Sequence, residues 1–195
     1  YATKYTLDNI YWLTYDPLGV DQGTRMQEVD ATPTVGTTPL TYSAQQHNEK
    51  NLYYFSQMPG DDDVDRWLYN TYIYAPSYTS DWTNTFSLPA SFTGSASLTL
   101  SMVGYLDIAG VIDHHVKIYL NNIEVGDAMW DGVNIHIAEL VVPDGILHTG
   151  DNTLKVSWVN DTGVGSEVIY FDWYELDYQC EFIAQNNSIT FNYSE

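Results

Sequence analysis

Cysteine is nearly absent: Cys180 stands alone in 195 residues, so no internal disulfide can form and a small disulfide scaffold is excluded. Basic residues are scarce as well. Six Lys and Arg face 26 Asp and Glu, a formal charge of −20. A surface of that sign repels phosphate backbones and anionic headgroups, so neither nucleic acid nor membrane is an expected partner. No apolar run reaches the roughly 18 residues of a membrane-spanning helix, and no membrane insertion is expected. Stretches with apolar residues at i, i+3, i+4 and i+7 are lacking too, which leaves little basis for amphipathic helices. Starting at Tyr1 without an initiator Met or signal peptide, the chain is expected to be a mature or excised fragment.

What is abundant points to strands: 17 Tyr and six Trp, with many Thr and Val. A chain of this length buries about 70% of its unfolded surface and needs no covalent staple. In residues 95–102, Ala96, Leu98, Leu100 and Met102 alternate with Ser and Thr, the pattern of a half-buried strand. In residues 115–120, Val116, Ile118 and Leu120 point one way and His115, Lys117 and Tyr119 the other. Asn121-Asn122 then supplies a tight hairpin turn returning through Ile123 and Val125. Leu154, Val156 and Trp158 share a face, and residues 168–178 form the longest expected strand, with Val168, Tyr170, Tyr174, Leu176 and Tyr178 on one side. Clusters of Gly, Asp, Asn and Pro separate these runs. Short strands with turns between them predict an all-β sandwich or barrel, not βαβ units. Residues 32–41, with Pro33 and Pro39, read as an extended connection. The main domain is expected over 1–178 with an irregular N-terminal segment. Residues 179–195 form a C-terminal extension, with a hairpin around Asn186-Asn187, read as the start of a following β domain.

Several segments together resemble the non-catalytic β-sandwich region that precedes the peptidase domain of gingipain-like cysteine peptidases. They are Tyr11-Trp12-Leu13-Thr14-Tyr15 with Gly23-Thr24-Arg25-Met26; residues 49–54 with Pro59-Gly60 and Asp65-Arg66-Trp67; His114-His115-Val116-Lys117-Ile118-Tyr119-Leu120-Asn121 continuing to Trp130; and Gly150-Asp151-Asn152-Thr153-Leu154 with Gly163 and Phe171-Asp172-Trp173-Tyr174-Glu175-Leu176. The last pairing is shared with galactose-binding-like jelly rolls in general. The resemblance implies an antiparallel, galactose-binding-like jelly-roll sandwich in an extracellular or cell-surface protein whose active domain lies further along. The family's catalytic His and Cys belong to a separate caspase-like α/β domain, and Cys180 does not match its nucleophile.

Candidate chemistry is sparse. A thiolate nucleophile needs a base and an oxyanion site, and none of the five His stands in a recognisable spacing to Cys180, so a buried, inert thiol is the plainer reading. There is no His-Glu-x-x-His run and no Gly-x-Ser-x-Gly elbow. Calcium is the cofactor candidate: Asp61, Asp63 and Asp65 alternate as hard-cation ligands do, although Arg66 and Tyr72 occupy the EF-hand's Gly and Glu positions. The competing reading is a solvated acidic turn. Asp113-His114-His115, with His136, offers metal nitrogens, against the plainer reading that one His caps the strand and its neighbour faces solvent. Asp172, in an apolar pattern on the face of Tyr170 and Tyr174, is expected to be partly buried and structural, pinning a neighbouring loop. Trp67, Trp82 and Trp130, with Tyr69, Tyr72, Tyr74 and Tyr78, could stack on sugar rings, or fill the core as aromatics in β proteins usually do.

The function expected from all this is a non-catalytic accessory domain whose partners are downstream domains of the same polypeptide. The alternatives are a calcium-assisted carbohydrate-binding module and a surface or filament subunit that pairs with identical subunits through its C-terminal segment.

Overall fold

A computed structural model describes residues 39–69, 71–77, 80–184 and 187–189. Within them the chain is all-β and antiparallel, a jelly-roll sandwich. One sheet orders β1 (Thr41–Glu49), β11 (Glu167–Glu181), β6 (Phe92–Gly104) and β9 (Ile135–Val142), with the short β4 (Tyr72–Ala75) also pairing with β11. The facing sheet orders β5 (Asp81–Leu88), β10 (Gly150–Trp158), β7 (His114–Leu120) and β8 (Ile123–Trp130). A two-residue ladder, β2 (Tyr53–Tyr54) with β3 (Trp67–Leu68), stands apart.

Alternation builds the core. Leu98, Leu100 and Met102 of β6 face Val116, Ile118 and Leu120 of β7 and Leu154 and Val156 of β10, all within 1% of full burial. Each such aliphatic contributes about 1.5–3 kcal/mol relative to exposure. Between β7 and β8 the turn residues Asn121 and Asn122 take φ of 50° and 68°, the left-handed pair that a two-residue hairpin requires. The strands expected between residues 95 and 178 are therefore present, and β11 runs to Glu181, with Cys180 opposite Tyr42 of β1, while residues 182–184, before the expected Asn186-Asn187 turn, form no strand.

One expectation about β11 is corrected. Val168 and Tyr170 do not share the face of Tyr174, Leu176 and Tyr178. The register with β6 shifts between Phe171 and Trp173, so that Asp172 is an extra, bulged residue. Before it Ile169 and Phe171 face the core, and after it Tyr174, Leu176 and Tyr178 do. A single inserted residue reverses which side chains point inward.

The outer face of the β1–β11–β6–β9 sheet is covered in part by the excursion carrying β2 and β3. Phe55, Met58 and Leu68 pack there on Val103, with Val64 and Tyr170 at the margin, as a second small core. Arg66 fixes this excursion by donating to the carbonyls of Ser56, Met58 and Asp61.

Gly104 ends β6 where the His114 ring lies against the backbone. A Cβ there would overlap Nε2 of His114, with two ring carbons 2.7 Å away. Because that ring is bonded at both nitrogens, it has no room to give. Gly104→Ala is therefore expected to cost about 1–3 kcal/mol, as overpacking does, and to lower the melting temperature visibly in a thermal melt.

The N-terminal segment of the resemblance, residues 11–26, lies outside the described residues. So do Asn186 and residues 190–195 of the expected C-terminal hairpin, and with them most of the edge on which subunit assembly would depend.

Candidate functional site

The start of β7 gathers the most polar interior. Asp113 is fully buried and accepts from the backbone N–H of Ile108 at 3.1 and 3.2 Å and of Gly132 at 3.1 Å. It thereby fixes the β6–β7 and β8–β9 connections to one another. His114 is buried completely, with Nδ1 2.7 Å from Glu167 Oε1 and Nε2 3.1 Å from the Gly132 carbonyl. The Gly132 carbonyl accepts from Nε2, and with Glu167 ionised Nδ1 donates as well, which makes the ring an imidazolium. Burial pulls its pKa down. The bond to Glu167, that carboxylate's charge, the Gly132 carbonyl and Asp113 outweigh burial and raise it.

His115 points to the opposite face, where Nδ1 donates to Asp161 at 2.6 Å and Nε2 to Asp127 at 2.8 Å. Burial again opposes the charge, and the two carboxylates again prevail and raise the pKa. Neither histidine faces solvent as a free cap: His114 is tied to Glu167 at the start of β11, and His115 to Asp127 on neighbouring β8 and to Asp161 in the β10–β11 connection. His136 lies on the far side of the Trp130 ring, which is stacked between it and His114 at 4.7 Å from each. Its pKa is lowered by burial and by the positive charge of His114. The three rings share no open point where a metal ion would sit.

Two aspartates of the 61–65 loop bond to their own backbone, through one oxygen each. Asp61 Oδ1 accepts from the N–H of Asp63 at 3.2 Å, and Asp65 Oδ1 from that of Trp67 at 2.9 Å. These are Asx turns. Among the described residues, no three His, Cys, Asp or Glu side chains are grouped to hold a metal ion.

The expected tryptophan platform is not assembled. Trp82 is 4% exposed, stacked on Phe171 at 4.1 Å and donating from Nε1 to Thr71. Trp130 is 8% exposed between its two histidines. Both alternate inward on β5 and β8, where a large ring fills the inter-sheet space. Trp67, at 39% exposed, is the one of the three that reaches the surface.

It is joined there by rings from the neighbouring segments. Tyr53, Tyr54, Tyr72 and Tyr105 are each 40–47% exposed. Tyr170 organises them: Tyr53 lies flat on it at 5.6 Å and 8°, Tyr72 leans on it at 5.1 Å, and Tyr105 meets it edge-on at 6.1 Å. Trp67 meets Tyr54 edge to face at 5.3 Å. Burial, then Tyr53, Tyr72 and Tyr105, push the Tyr170 phenol up to about 12, so it stays a neutral hydroxyl. Tyr69, expected in the same platform, is buried, and Tyr78 lies outside the described residues.

Asp172 is 6% exposed, as expected for a structural carboxylate, but its partner is a strand and not a loop. Ser101 of β6 donates to Oδ2 at 2.9 Å, and buried Oδ1 has no partner. Cys180 is 1% exposed, placed in the ladder opposite Tyr42 and Phe92.

No protein-family model and no curated protein sequence matches the chain. Among solved structures, dimeric latent PorU from Porphyromonas gingivalis is similar at a TM-score of 0.55 and 17% identity, over 72% of this chain and 13% of that chain. Carbohydrate-binding module CBM36, in complex with calcium and xylotriose, reaches 0.37 at 16% identity, over 69% of this chain and 98% of that one. A family 35 carbohydrate-binding module from an environmental isolate reaches 0.42 at 10% identity, over 70% and 90%. The protein is thus a β-sandwich module that shares its fold with a stretch of PorU and spans 13% of the PorU chain. At their scores the two carbohydrate-binding modules bear on neither ligand nor metal here.

Proposed function

We propose that the chain is a non-catalytic accessory module of a longer, secreted or cell-surface polypeptide of the gingipain-like cysteine-peptidase kind, spacing or docking that polypeptide's other domains. The observation that carries this reading is the use of its polar groups. Asp113, His114, Glu167, His115, Asp127 and Asp161 bond to one another or to backbone, and so tie three connections at one end of the sandwich. Groups held this way fix loop shape, and shaped loops on a rigid sandwich carry contacts. The likeness to a minor stretch of the PorU chain supports a module embedded in a longer polypeptide.

Two measurements test it. Incubated with fluorogenic peptide, ester and glycoside substrates, the chain is expected to turn none of them over. Within the parent polypeptide, deleting the module is expected to lower the melting temperature of the remainder. Turnover by the chain, or a remainder that melts unchanged, overturns the reading.

The reading needs no calcium, since among the described residues no three acidic or histidine side chains are grouped to hold an ion. Adding a chelator is expected to leave the melting temperature where it was, and a fall on chelation restored by calcium would reverse that assignment.

A further inference from the structure

The geometry points to a second activity on the outer face: the strip of Tyr53, Tyr54, Trp67, Tyr72 and Tyr105 is a binding surface for a neutral glycan chain. It goes beyond the accessory role, which stands or falls on separate measurements. Five rings each left 39–47% exposed, in a protein that buries Trp82, Trp130 and Tyr174, are an anomaly that burial does not explain. Three of them are held in place by a sixth, Tyr170, itself packed on buried Phe55 at 5.1 Å. The platform is therefore preformed, and a ligand would meet little ordering cost.

Three ligand classes stack on exposed aromatic rings: nucleobases, sugars and apolar protein surfaces. Charge removes the first. The chain carries −20, and the two cations of the 50–66 segment are engaged, Lys50 over the Tyr69 ring and Arg66 on three backbone carbonyls. Nothing there would meet a phosphate. The chemistry of the strip selects between the other two. Its exposed members are all Tyr or Trp, each with a polar edge beside an apolar face, and Asp65, which accepts from the Trp67 backbone N–H through Oδ1 alone, keeps its second carboxylate oxygen for a ligand. Carboxylate and phenol oxygens accept from hydroxyl groups, while ring faces receive C–H surfaces. A neutral sugar presents both on one residue. A uronic acid or sulfated glycan presents the wrong charge.

The test titrates the chain with cellohexaose, xylohexaose and mannohexaose, and with polygalacturonate as the anionic control, by calorimetry and tryptophan fluorescence. Binding of at least one neutral hexasaccharide is expected, weakened about tenfold or more in Trp67→Ala and in Tyr54→Ala, and retained in part by Trp67→Phe. Thermal melts of the variants report folding, and Tyr54→Ala decides should Trp67→Ala unfold. No binding by any neutral hexasaccharide overturns the proposal, as does binding indifferent to both ring deletions or equal binding of polygalacturonate. Self-association of the chain abolished by the same substitutions, with no sugar bound, would assign the strip to a second copy and overturn it as well.

Discussion

Replacing Glu167 by Ala is expected to lower the unfolding free energy by about 3–5 kcal/mol, the cost of removing one partner from a buried ion pair. The reason is what stays behind. His114 would keep its donation to Gly132 and its place between Gly104 and Trp130, but its Nδ1–H would face no acceptor at zero exposure. Either a charge stays buried without a counter-charge, or the ring surrenders a proton that the fold had favoured. Glu167→Gln separates charge from shape: its carbonyl oxygen still accepts from Nδ1, so it should lose distinctly less than Ala. The sign of the pH dependence follows from the raised His114 pKa. A histidine raised on folding contributes stability that is fully present below its unfolded value, about 6.5, and is lost as pH climbs through the folded value. The gap between wild type and Glu167→Ala is thus widest on the acid side of neutrality and narrows above it. Urea unfolding across that range measures it, and a loss below about 1 kcal/mol for the Ala variant would contradict the pairing.

That pair also marks where sequence reasoning stops. His114 and Glu167 are 53 residues apart, and Asp113 reaches Gly132 across another connection. Spacing along a chain reports neighbours on a strand, not partners across a loop. What alternation does report came through well: the inward row of Ala96, Leu98, Leu100 and Met102, the rows of β7 and β10, and the Asn121-Asn122 turn. Two strands carried a weaker signal. β1 reads TYSAQQHNE, with Ser43, Gln45 and His47 exposed and the rest half-buried, and is held by its ladder to β11, not by an apolar row. β5 alternates as DWTNTFSL, with only Trp82, Phe86 and Leu88 buried, and is visible mainly through its pairing with β10. The tryptophans show the same limit. Counting rings indicates that a sandwich is aromatic, but which of them reach solvent depends on the register of each strand. The exposed strip mixes one anticipated residue pair, Trp67 and Tyr72, with Tyr53, Tyr54 and Tyr105. Their common feature is contact with Tyr170 or Trp67, and contact is not written in their spacing.

Asp172 sits at that bulge, and its ionisation is expected to set much of the protein's pH profile. Burial, together with the charges of Asp65 and Glu49, pushes its carboxyl up to about 7 against the opposing bond from Ser101 and the charge of His47. The fold therefore favours the neutral acid. A carboxyl raised on folding contributes stability that is fully present below its unfolded value, 3.8, and lost as pH rises through about 7. A shift of about three units corresponds to roughly 4 kcal/mol at most, large beside a typical domain stability of about 5–15 kcal/mol. Wild type should thus weaken between about pH 4 and 7. Asp172→Asn removes that slope. Its amide oxygen can still accept from Ser101, its NH2 takes the place of the unpartnered Oδ1, and no charge need be buried at any pH. At pH 8 this variant is expected to melt well above wild type, while near pH 4 the two should nearly coincide. Asp172→Ala, which the strand position alone marks as severely destabilising, acquires a split outcome. Below neutrality it loses the Ser101 bond and leaves a small void. Above neutrality that loss is offset, because the variant no longer has to bury a carboxylate. Melting curves of the three proteins from pH 4 to 8 decide the matter, and parallel curves would show that Asp172 is ionised throughout and that the bulge holds a charge after all.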